Sequence, residues 1–251
     1  MKRVLLVLSV VLFATASMWA EGDRAKTISR VQEANDVLSE IMSAPDSGIP
    51  ENIFSSAKCV AVVPTLLKGG FGFGGAYGKG VASCHTEKGW SAPAFFSIKG
   101  GSFGLQIGGE AVDLVMLIMT NEGMQDMLSS KFKLGAGGSV AAGPVGRDAE
   151  GSTDWKLKAQ VLTYSRARGI FAGLNVNGAL ITQGKDDTRA FYGRMVPFKT
   201  ILNGRIDAPT EANDFIFSLG KYSGTNAVVP ATATPVKVQT TPATNATGDT
   251  N

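Results

Sequence analysis

The sequence predicts an α+β domain: a strongly curled, glycine-rich antiparallel sheet or barrel flanked by N- and C-terminal helices. Three observations point there. Apolar residues recur at three- and four-residue steps near the two ends of the folded region, and at two-residue steps through most of the sequence between them. Glycine accounts for 31 of 251 residues, and thirteen of these fall between Gly69 and Gly109. They follow no G-x-y period, which excludes collagen. Glycine within strands permits sharp bends, bulges and close backbone approach, as a small, tightly curled sheet requires.

The chain opens with the basic triplet Met1-Lys2-Arg3, an apolar run from Val4 to Ala14, and the small-residue exit Ala14-Thr15-Ala16 and Ser17-Met18-Trp19-Ala20. A run of eleven residues, apolar but for Ser9, suits a secretory leader and is too short to span a bilayer. Residues 1–20 are therefore expected to be a signal peptide, cleaved after Ala20, which makes the mature protein periplasmic or extracellular. A helix is expected from Asp23 to Met42, with Ile28, Val31, Val37, Leu38 and Ile41 on its apolar side. Pro50 opens a short second helix through Ile53 and Phe54. Cys59 to Val63 reads as a short strand stopped by Pro64.

Trp90 to Ile98 and Phe103 to Ile107 alternate as strands. Ala111 to Thr120 is a core strand or a buried helix, and Asn121 to Ser130 a helix. Trp155 to Val161 alternates with Lys156, Lys158 and Gln160 as a half-wet strand. Ile170 to Val176 leads to Asn177-Gly178, a hairpin signal with Ala179 to Thr182 returning. A last helix from about Pro209 buries Ala212, Phe215, Ile216 and Leu219 and stops at Gly220. Residues 23–222 thus form one globular domain. Residues 223–251, rich in Thr, Ala and Pro, have little to bury and are expected to be a disordered tail.

Composition and motifs narrow the chemistry. With 44% hydrophobic and 18% charged residues, the chain is not disordered over most of its length. Setting aside Lys2 and Arg3 leaves 22 of the 24 basic residues against 21 acidic, too balanced for a nucleic-acid binder. Gly70, Gly72 and Gly75 match G-x-G-x-x-G by spacing, but Gly-Ala-Tyr-Gly-Lys-Gly follows where a helix must open to meet phosphate. Gly78-Lys79-Gly80 lacks the Ser or Thr of a P-loop. His85 is the one imidazole, and Asp113 in its apolar stretch reads as a buried, hydrogen-bonded acid rather than a base. No catalytic residue, metal site or cofactor is expected, so the chain reads as a non-enzyme. In an oxidising compartment Cys59 and Cys84 are expected to pair. Two buried thiols are the alternative, and a metal site with His85 lacks a fourth ligand.

Several ordered strings carry a resemblance to a known family. They are Ala57-Lys58-Cys59-Val60-Ala61-Val62-Val63-Pro64, Gly74-Gly75-Ala76-Tyr77-Gly78-Lys79-Gly80, Trp90-Ser91-Ala92-Pro93-Ala94-Phe95-Phe96, Gly104-Leu105-Gln106-Ile107-Gly108 and Tyr164-Ser165-Arg166-Ala167-Arg168-Gly169-Ile170-Phe171-Ala172-Gly173. Over about residues 25–205 the chain resembles the SYLF family, which includes the actin-binding domain of yeast endocytic proteins, and looks like an exported bacterial member of it. The resemblance implies a non-enzymatic module that binds membrane lipids, including phosphoinositides, and in some members actin. With an export leader and no SH3 or FYVE domain, the expected partners are anionic phospholipids of the cell envelope, and actin is not expected as a physiological partner. A structural or protein-interaction role in the envelope is the alternative. The stretch matching the lipid-linked N-terminal segment offers Arg24, Lys26 and Arg30. Lys131, Lys133, Arg166 and Arg168 are a second basic set for the same role.

Overall fold

The computed structural model describes residues 2–44, 48–136, 138–145, 159–167, 170–172, 176 and 178–225. Helix α1 spans Lys2–Ser43 and α2 Glu51–Ser55, the latter entered through Pro50 at φ −62°. The helix expected from Asp23 is the second half of α1. Thr27, Val31, Ala34, Leu38 and Ile41 repeat at three- and four-residue steps there and are buried. Each large apolar side chain so covered contributes ~1.5–3 kcal/mol.

Two long strands dominate the rest. Strand β1 (Cys59–Thr86) and strand β3 (Ala94–Ile118) are antiparallel from Cys59↔Ile118 to Ala82↔Ala94, with the short β2 (Gly89–Trp90) between them. A straight strand advances ~3.3 Å per residue, which would set Cys59 and Cys84 about 80 Å apart. Their Cα atoms are 3.9 Å apart. The ribbon therefore folds back so that the two halves of β1 lie against each other. The sequence allows this because Gly78 and Gly80 have no side chain at the contact. A Cβ on Gly80 would lie 2.3 Å from the Val62 carbonyl oxygen, and one on Gly78 2.6 Å from Val63 Cγ1. Where the ends meet, Cys59 and Cys84 form a buried disulfide, and the His85 N–H donates to the Lys58 carbonyl at 2.8 Å. With both sulfurs in that bond, the metal and free-thiol alternatives fall. Pro64 does not stop the strand: the register shifts between Val63 and Leu66, so the residue lacking an N–H sits where the ladder is already interrupted.

Each half of β3 then builds its own sheet wing. Near its start, Phe96↔Gln183 to Lys99↔Leu180 add β8 (Leu180–Gln183), which carries β4 (Lys131–Lys133). Near its end, Asp113↔Arg166 to Ile118↔Val161 add β6 (Val161–Ala167), which carries β5 (Val140–Ala142) and β7 (Ile170–Ala172). The sheet is mixed rather than wholly antiparallel, because β5 runs parallel to β6. Residues 143–160 supply the dozen or more residues that a parallel return needs. Inward-facing Ala61, Val63, Phe96, Leu114 and Met116 pack between the wings. Outward-facing Val60, Val62, Val115, Leu117 and Tyr164 pack under α1 and the C-terminal helix α6 (Asn213–Tyr222), which follows a 3-10 turn at Thr210–Ala212. Both faces are covered, so the start of β1 reads as an unbroken apolar run.

The turn before β8 exists, with Gly178 at φ 81° and the Ala179 N–H on the Val176 carbonyl at 3.1 Å. It does not make the expected hairpin: β8 joins β3 and β4, and β7 pairs with β6. Helix α3 (Asn121–Leu128) is capped by the Thr120 side chain, which accepts from the Gly123 N–H. Two short helices escaped the periodicity, α4 (Lys185–Tyr192) and α5 (Phe198–Leu202). At eight and five residues they span too few turns to show a stripe. Trp155, Leu157, Leu174, Asn177 and residues 226–251 lie outside the described residues.

The contact between the halves of β1 makes a graded prediction. Gly80→Ala drives a methyl into a backbone carbonyl and should cost at least the ~1–3 kcal/mol of an overpacked core. Gly75→Ala, whose new Cβ meets nothing nearer than the Gly100 oxygen at 3.8 Å, should cost about 1 kcal/mol or less. Urea denaturation of the two variants beside the parent decides the order.

Candidate interaction surface

Two large apolar residues are uncovered where the ribbon bends. Leu67 and Tyr77 lie on either side of it and are 55% and 43% exposed. Lys68↔Glu110, Gly69↔Gly109 and Gly75↔Gly101 pair across the ribbon here. The result is an open groove of about 620 Å³ whose walls include Leu67, Lys68, Ala76, Tyr77, Glu110 and Ala111. Gly69, Gly75 and Gly109 also line it, so part of its surface is bare backbone. A smaller cleft of about 200 Å³ shares Leu67 and Tyr77 and adds Arg30 and Glu33 from α1 and Pro64, Thr65 and Lys79 from β1.

Charges frame this surface. The half-buried Asp187 of α4 accepts a hydrogen bond from Lys79 Nζ, 3.0 Å from its Oδ2, and Arg30 Nη1 lies 3.3 Å away as an ion pair without a hydrogen bond, so two cations share one carboxylate. Lys68 lies 3.5 Å from Glu110, and Lys99 Nζ sits 5.6 Å from the centre of the Tyr77 ring. Beneath α1 lies a second cluster. Arg166 donates from Nε and Nη2 to Asp113 Oδ2 at 2.9 and 2.6 Å, and its Nη1 pairs with Glu40 of α1. Burial, followed by the charge of Glu33, pushes the Asp113 carboxyl from an ordinary 3.8 up to about 6. The Arg166 fork pulls the other way and keeps the acid mostly charged at neutral pH. Asp113 is thus a hydrogen-bonded acid, half-buried rather than buried as its apolar stretch suggested.

The basic residues singled out from the sequence do not converge. Arg24 bonds Glu211 at 2.7 Å, and that bond holds the Glu211 carboxyl below its usual range. Lys26 faces Asp23 at 3.1 Å. Arg30 is occupied with Asp187, and Arg166 with Asp113 and Glu40. Lys131 and Lys133 are exposed on β4, on the opposite wing from Arg166. Arg168 lies outside the described residues. His85 is exposed with its ring edge-on to Trp90, at 5.6 Å between centres. Among the described residues, no three His, Cys, Asp or Glu side chains are grouped to hold a metal ion. Leu67, Tyr77 and Lys79 were not singled out from the sequence. The signal available was position: the next residues on the same strand face, Gly69 for Leu67 and Gly75 for Tyr77, carry no side chain.

Residues 99–222 match a family model described as Ysc84, Las17-binding protein actin regulator. The chain belongs to the Ysc84 (SYLF) family. It is 36% identical over 189 residues to LAS seventeen-binding protein 3 of Saccharomyces cerevisiae, covering 74% of this chain and 40% of that protein. It is 34% identical over 175 residues to Protein YSC84 of the same yeast, covering 68% and 37%. With the human SH3 domain-containing YSC84-like protein 1 it shares 30% identity over 210 residues, 83% of this chain and 60% of that one. The chain therefore spans between 37% and 60% of the length of these relatives. These findings correct the expected partners. The family description names an actin regulator and a protein partner, so the expectation that actin is not a partner is withdrawn.

The half-buried Asp113 predicts a pH signature. The folded state holds the Asp113 proton more tightly than the unfolded chain does. Its contribution therefore favours folding fully below 3.8 and is lost as pH rises through about 6. Carboxyl NMR should find the Asp113 midpoint near 6, and Asp113→Asn should gain on the parent in stability between pH 4 and pH 7.5. A midpoint at or below 3.8 would contradict this reading.

Proposed function

We propose that this chain is a non-catalytic protein-binding module that acts on actin or on a protein regulating actin assembly. The observation that carries this is the groove at the ribbon bend, where Leu67 and Tyr77 are exposed beside bare glycine backbone. A folded domain gains nothing in stability by leaving such side chains uncovered, and contact surfaces favour exposed aromatic anchors. The family description and the names of the yeast relatives supply the class of partner. Co-sedimentation with filamentous actin tests it: the protein should pellet with filaments, and Leu67→Ser/Tyr77→Ser should pellet less. A protein that stays in the supernatant with filaments in excess would remove actin as the direct partner.

A second reading is an exported module that meets anionic phospholipid surfaces. The buried Cys59–Cys84 bridge favours it, because such bridges persist in oxidising compartments. Lys131 and Lys133 are the exposed cations on which it would rest. Pelleting with phosphatidylglycerol vesicles but not with phosphatidylcholine vesicles, reduced by Lys131→Gln/Lys133→Gln, would support it.

A further inference from the structure

The chemistry of the bend also defines the kind of segment that fits it. Tyr77 pairs in register with Lys99 across the ribbon, and Lys79 follows two residues on, on the same face of the strand. One exposed aromatic ring is thus flanked by two ammonium groups. The Lys99 ammonium lies over the ring, and no carboxylate among the described residues pairs with it. Lys79 is 41% exposed and shares Asp187 with Arg30. Lys79 bonds that carboxylate and, with three N–H groups, keeps donors for a further acceptor. The acids on the surface restrict where a ligand's charge can go. Glu110 is held by Lys68 at the far wall, and Glu33 stands on the α1 side of the smaller cleft. A negative group is attracted beside Tyr77 and repelled from both of those walls.

We propose that the groove docks an extended, acidic segment of a partner protein. One or two carboxylates sit between Lys79 and Lys99, a neighbouring apolar side chain covers Leu67 and Tyr77, and the segment's backbone runs along the glycine-lined part of the groove. Charge complementarity selects the acid, and the missing Cβ atoms at Gly69, Gly75 and Gly109 allow close backbone approach. An anionic bilayer suits this surface less well, because Glu33 and Glu110 would be pressed against it. The inference rests on the protein-binding reading and specifies the partner's chemistry at that same site.

Panning a phage-displayed library of random twelve-residue peptides on the full-length protein tests it. Enriched peptides should carry Asp or Glu within a few positions of an aromatic or aliphatic residue. Synthetic copies should bind Leu67→Ser/Tyr77→Ser and Lys79→Gln/Lys99→Glu about tenfold or more weakly, in variants that thermal melts show to be folded. Basic consensus sequences, no enrichment over an uncoated surface, or peptides that bind the variants as well as the parent would overturn the proposal. So would phosphatidylglycerol vesicle binding that the Leu67/Tyr77 variant abolishes without any peptide enrichment. Acidic peptides at this groove combined with failure to pellet with actin would sink the actin reading and keep the docking surface. Actin pelleting untouched by either double variant would do the reverse.

Discussion

The architecture depends on the close contact between the two halves of β1. Val62 and Gly80 meet backbone to backbone, and only a residue without a Cβ fits there. Fixing that contact bends β3 with β1, since the two are paired along most of their length. The bend in turn points the two ends of β3's free edge in different directions, one toward β6 and one toward β8. The Cys59–Cys84 bridge closes the loop at its mouth, with a separation of 25 residues. In the chain-entropy account a loop of that size contributes ~3 kcal/mol through the unfolded state. Glycine weakens each strand position it occupies, and the packing of Phe96, Leu114 and Met116 between the wings offsets this loss.

The same constraint creates the exposed surface. Leu67 and Tyr77 are left uncovered beside bare backbone, and α1 and α4 bring Arg30 and Asp187 to its edge. The groove is in this sense a by-product of the fold that the ionic frame makes selective. Its charges alternate over short distances, which suits a segment of defined sequence better than a uniform field does.

Local pattern carried much of this fold. The stripe on α1, the Pro50 entry to α2, the alternation in β3 and the C-terminal helix were legible because each is set within a few residues. The steric role of glycine was legible as a class of effect. The partners of the fold-back were not, because it joins Val62 to Gly80 across a glycine-rich stretch whose composition marks a bend without fixing which residues meet. The parallel β5 and the pairing of β8 are likewise settled by contacts between distant segments. The basic residues show the same limit. Arg24, Arg30 and Arg166 look free in the sequence, yet their carboxylates are Glu211, Asp187, and Asp113 with Glu40, all outside their own helical turns or strands. A charge count reveals the cations but not the acids they face.

Proton–proton distances across β1 test the fold-back most directly. In a straight ribbon, Val63 and Gly80 would stand more than 50 Å apart at ~3.3 Å per residue. Nuclear Overhauser spectra of protein with labelled Val methyl groups should show a strong cross-peak between the Val63 methyls and the Gly80 α-protons, since a Cβ built on Gly80 lies 2.9 Å from Val63 Cγ2. If that cross-peak is absent while the cross-strand peaks between β1 and β3 are present, the ribbon is open and the account of the bend and its groove is wrong.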